Sequence, residues 1–155
     1  MLARRRRLLA VAVPLAIVFV ASSLVVARFL TTENRERNAI YDVLRAEAAG
    51  DAGRVLSQLD ACDAACDAKV RAITPRLRSD GTVKIVLLSS RTAYSLGDDT
   101  GYSRVVWVAR VRARPVVQCV LVRRRGSPLT GRSVSLLALT APLADNEDPC
   151  PSDPS

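Results

Sequence analysis

Residues 8–27 read LLAVAVPLAIVFVASSLVVA, twenty residues without a charge. A helix of that length spans about 30 Å, the thickness of the hydrocarbon core of a bilayer. Arg4, Arg5, Arg6 and Arg7 precede the run, and only Arg28 follows it closely. This asymmetry predicts a basic cytoplasmic N-terminus over residues 1–7, a transmembrane signal anchor over 8–30, and an exported remainder. The competing reading is secretion after cleavage near Ala27, at the small-residue stretch Val25-Val26-Ala27. Cleaved signals, however, carry apolar regions of about 7–15 residues, shorter than this one. No cysteine lies near the end of the run, so a lipoprotein anchor is excluded, and Pro14 is tolerable in a membrane helix. The expectation is a single-pass plasma-membrane protein with its C-terminal domain outside.

That topology changes the meaning of the charge. The chain carries +8 overall, but the first 30 residues hold five arginines and no acid, leaving +3 for the rest. Residues 31–80 are nearly balanced, residues 81–141 hold ten basic and two acidic side chains, and residues 142–155 hold four acids and no base. Nucleic acid is not expected as the partner of a domain outside the membrane. Anionic head groups, acidic wall polymers or an acidic protein fit better. Scarce lysine (Lys69 and Lys84 only) beside abundant Arg, Ala and Val accords with a GC-rich bacterial genome.

The exported part reads as helices followed by strands. Ile40, Val43, Leu44 and Ala48 form one apolar stripe on a helix over 31–50, with Glu33 and Glu36 suited to its first turn and Gly50 to its stop. Asp51 is placed to cap a second helix, DAGRVLSQL. Cys62, Cys66, Val70, Ile73 and Leu77 share one face of a third, which Pro75 should limit or kink. From residue 81 the pattern turns extended and β-branched. GTVKIVLLSSRTAYS, YSRVVWVARV, VVQCVLVRRR and RSVSLLALTAPL are the expected strands, separated by SLGDDTG, RARP and GSPLTG. Residues 143–155 read as a polar Pro/Asp-rich tail. The fold class is therefore α+β: a transmembrane helix, then about three helices on a curved four-stranded antiparallel sheet, with the exported domain over 31–142.

This succession, AEAAGDAGRVLSQL and then IVLLSSRTAYS, VVWVARV, VVQCVLVRR and SVSLLAL, resembles the nuclear-transport-factor-2-like domain, also called SnoaL-like or cystatin-like. The resemblance covers about residues 34–141 and implies a sheet wrapped around helices as a cone, whose mouth binds a ligand or partner. Small bacterial members with one membrane helix include assembly subunits of type IV secretion and conjugation systems, and these are similar in layout.

The segment DACDAACDA has three chemical readings. The chain contains no histidine and has only one local cysteine pair, which disfavours a metal site. The C-x-x-x-C spacing is not that of a thioredoxin-type redox pair. An exported domain with four cysteines suggests disulfides instead. Three pairings are open; the expected one is Cys62–Cys66, close enough on a helix, with Cys119–Cys150 pinning the tail to the sheet.

No catalytic residues and no cofactor are expected. A serine triad is excluded without histidine, and Tyr41, Asp42, Tyr94 and Tyr102 are the groups from which a weak isomerase in the cone could be built. Asp42 beside Arg45 reads more simply as a surface ion pair. Candidate ligand or partner contacts are Tyr94, Tyr102, Trp107, Arg123, Arg124 and Arg125, although Trp107 alternates with inward positions and the arginine run could be a solvated strand end. The expected role is a membrane-anchored binding or assembly module, partnered by an envelope protein or by its own copy. A small-molecule-binding cone is the alternative.

Overall fold

The computed structural model describes residues 2–92, 97–109, 114–127, 131–144 and 149–151, with side chains from residue 12 onward except Phe29. Its elements are α1 (Leu2–Ala49), α2 (Ala52–Leu56), α3 (Ala64–Leu77), β1 (Val83–Ser90), β2 (Asp99–Ala109), β3 (Val116–Ser127) and β4 (Gly131–Leu139). The chain is α+β, and the four strands form an antiparallel meander in the order β1-β2-β3-β4.

The expected break between the apolar run and the first domain helix does not occur. α1 is one helix of 48 residues. No glycine or proline interrupts residues 15–49. Thr31 and Thr32, where a new cap would have formed, instead donate their hydroxyls back to the carbonyls of Ala27 (2.7 Å) and Arg28 (3.0 Å). Glu36 is therefore a mid-helix residue and not part of a first turn. Along α1 the described side chains of residues 12–31 are exposed, and burial begins at Thr32 and Glu36. Among the described residues α1 is the one helix long and apolar enough to cross a bilayer.

The end of α1 follows its sequence signals. Gly50 sits at φ 75°, a conformation that disfavours any side chain. The Gly50 N–H donates to the Glu47 carbonyl and the Asp51 N–H to that of Ala46, closing a Schellman motif. Asp51 then caps α2 by accepting from the Arg54 N–H at 2.9 Å. α2 is shorter than expected, because Leu59 and Asp60 leave it to bridge Leu136 on the β4 edge. α3 begins only at Ala64, capped by Asp63, so Cys62 precedes the helix and does not share its face. Pro75 lies inside α3 without ending it; the helix runs to Leu77.

α1 runs lengthwise along the sheet, antiparallel to β3. Glu36 meets Arg124, and eleven residues later Glu47 meets Gln118, six residues earlier on the strand. The helix rise of about 16 Å matches a strand rise of about 20 Å. α1 packs near both edge strands, β4 and β1. Ile40, Val43 and Leu44 fill the space beneath, against Val105, Trp107, Val120, Val122, Leu136 and Leu139.

A buried charge pair lies within this apolar layer. The Glu36 carboxylate is 1 % exposed and accepts from the Arg124 guanidinium, with Nε at 2.8 Å and a second bond from Nη2. The Ser103 hydroxyl donates to its other oxygen at 2.5 Å. Removing one member of a buried pair strands the other charge, so Glu36→Ala should lose about 3–5 kcal/mol of stability. The paired apolar change Glu36→Met/Arg124→Leu should lose much less. Denaturant unfolding followed by the fluorescence of Trp107, the single tryptophan, distinguishes the two; equal losses would contradict the pairing.

Candidate functional site

Strand alternation sorts the candidate contacts onto two faces. Trp107 has no exposed surface and belongs to the core. Its indole N–H donates to Gln118 Oε1 at 2.7 Å. Trp107 thus makes no surface contact. Arg124 is corrected likewise: it turns inward to Glu36, whereas its neighbours Arg123 and Arg125 alternate outward, half-buried and exposed. The run RRR is therefore two surface cations around one internal one. Tyr94 lies outside the described residues. Tyr102 is half-buried on the face of β2 opposite to that of Ser103, Val105 and Trp107.

Tyr41 and Asp42 do not converge with Tyr102. They are consecutive on α1 and so point in different directions. Asp42 is exposed, and Arg45 places its guanidinium over the Tyr41 ring, 5.8 Å from the centroid, in place of the expected pairing with Asp42. The interior that an isomerase would need is occupied by Trp107, Val105, Ile40 and Leu44, each without exposed surface. Among the described residues no group of three or more His, Cys, Asp and Glu side chains is placed to hold a metal.

Both disulfides are formed, Cys62–Cys66 with Cα atoms 5.2 Å apart and Cys119–Cys150 at 5.7 Å. Cys66 is in the first turn of α3, and Cys62 is free to come closer than it could on a continuous helix. Cys119 lies on the outer face of β3. Register aligns it with Arg104 on β2, and Arg104 in turn with Ser89 on β1, giving one row across three strands. Cys150 rises from the end of that row. A cavity of about 540 Å³ opens there, lined by Ser89, Arg91, Tyr102, Arg104 and the Pro149-Cys150-Pro151 segment.

A second buried carboxyl escaped the sequence reading. Glu47 is 2 % exposed; one oxygen accepts from Gln118 Nε2 at 3.2 Å and the other has no hydrogen-bond partner. Burial pushes its pKa from 4.5 up to about 7, against the smaller lowering effect of the Gln118 bond. Sequence did carry a signal for both buried acids: 36, 40, 43, 44 and 47 recur on one helical face, so two glutamates stand on the apolar stripe.

No family model matches the chain, and neither a curated protein nor a solved structure shows detectable similarity to it.

Because Glu47 is raised in the folded state, folding favours its protonated form. Its contribution is fully present below about pH 4.5 and is lost as pH rises to about 7. The loss should total about 3 kcal/mol, and Glu47→Gln should abolish it. Melting curves from pH 5 to 8 on both proteins test this; identical slopes would contradict it.

Proposed function

We propose that the chain is a single-pass membrane protein whose extracytoplasmic domain is a non-enzymatic binding or assembly module of the cone type. Residues 8–30 act as the anchor, with the basic N-terminus in the cytoplasm. The even cysteine number, all four in disulfides, supports the exported side. α1 then leads from the bilayer into the domain core as one element, and fixes how the sheet is presented.

The observation that carries the reading is the contrast between the sheet's two faces. The inner face is filled. The outer face carries Lys84, Arg104, Arg123 and Arg125, and β1 leaves a free edge among the described residues, whereas Leu59 and Asp60 cover part of the β4 edge. Val86 and Leu87, 59 % and 55 % exposed at the bulge in β1, are the exposed large hydrophobics outside α1 among the described residues. Such a surface suits an envelope protein with an acidic face. An assembly role like that of type IV secretion subunits is one form of the same reading.

Photo-crosslinkers placed at Val86 or Lys84 should trap an acidic membrane or envelope protein, whereas one at Arg54, on α2, should not. The outer-face adduct should weaken as salt rises. Adducts between copies of this chain alone would replace the acidic partner by self-association. No adduct at any position would contradict the module.

A further inference from the structure

The cavity at the Cys119–Cys150 bridge is a built feature of the outer face. Its floor is the row Ser89–Arg104, with Tyr102 two residues along β2 from Arg104. Its wall is Pro149-Cys150-Pro151, in which each proline fixes its own φ on either side of the bonded cysteine. Arg91, just beyond β1, is exposed at its rim, and the Arg91 N–H is tied to the Tyr102 carbonyl. The exposed Arg91 guanidinium, with Arg104 behind it and two hydroxyls, thus belongs to the lining, while the tyrosine ring and two proline rings supply apolar surface.

We infer that this cleft is an oxyanion-binding subsite, which takes a carboxylate or phosphate head carried on an apolar stem and is shaped by the Cys119–Cys150 disulfide. Guanidinium groups present forked donors that match both oxyanions, and such charge-assisted bonds are the stronger class. The stem lies against the ring of Tyr102 and the prolines. The disulfide gives the site its dependence on an oxidising compartment. It joins positions 31 apart in sequence, and when it is open the wall is no longer fixed over the row. The inference rests on the outer face being the recognition surface, and it names the chemistry recognised there.

The test uses the full chain in detergent, titrated with benzoate, phenyl phosphate and inorganic phosphate and read by heat or by amide shifts. Saturable binding of a stemmed anion, tighter than inorganic phosphate, is expected. A preference for benzoate points to carboxylate, and one for phenyl phosphate to a phosphorylated group. Arg91→Gln should weaken binding about tenfold. Cys119→Ser/Cys150→Ser should weaken it at least as much while the Trp107 fluorescence of the folded core persists. Lys84→Gln, at the far end of β1 on the same face, should leave affinity unchanged. No saturable binding would overturn the subsite, as would equal affinities for wild type, Arg91→Gln and the double serine variant. Because no partner protein is present, failure here is separable from failure of the crosslinking.

Discussion

The bond between the Glu36 carboxylate and the Arg124 guanidinium joins the two halves of this protein. Glu36 stands where α1 passes from exposed apolar residues into the domain, and Arg124 stands near the end of β3. With Ser103 of β2 donating to the same carboxylate, three elements meet at one buried group. A helix held only by apolar contacts can slide or rotate at modest cost. A buried charge pair cannot, since any shift leaves a charge without its partner in a poorly solvating interior. The register of α1 on the sheet follows from that constraint.

Further along the helix the interior is polar again, but differently. Glu47, Gln118 and Trp107 form a chain of hydrogen bonds in which one carboxylate oxygen is left over. That site is better suited to a neutral carboxyl than to a charged one. The two glutamates on one stripe therefore have opposite characters, one fixed by a cation and one neutralised by burial. Between them the core is apolar, filled by Ile40, Val43 and Leu44 against Trp107 and Val120. On the outer face the Pro149-Cys150-Pro151 segment, pinned at Cys150, forms one side of a cleft.

Much of the fold was legible because periodicity reports it directly. The change from helical spacing to β-branched runs at residue 81 located the sheet, and Gly50-Asp51 located the junction of α1 and α2. Both rest on local chemistry. What was not legible depends on residues distant in sequence. Nothing near Arg124 distinguishes it from Arg123 and Arg125; only strand alternation against a specific glutamate, 88 residues away, turns it inward. Gly126 is similar, for at φ 99° a Cβ there would lie 2.4 Å from the Gly131 carbonyl oxygen across the hairpin. The continuity of α1 was not legible because Glu33 and Glu36 suit a first helical turn, yet the Thr31 and Thr32 hydroxyls bond back within an uninterrupted helix. The Cys119–Cys150 bridge was legible, but the cleft also needed the strand register that sets Arg104 beside Cys119.

The apolar segment and the domain core share one unbroken helix. Spin labels at Leu24, in the exposed apolar stretch, and Arg45, exposed on the domain part of α1, measure it directly in bilayers. A continuous helix predicts a single narrow distance distribution centred at about 32 Å. A broad or shorter distribution would mean a hinge between the segment and the domain, and would contradict the account.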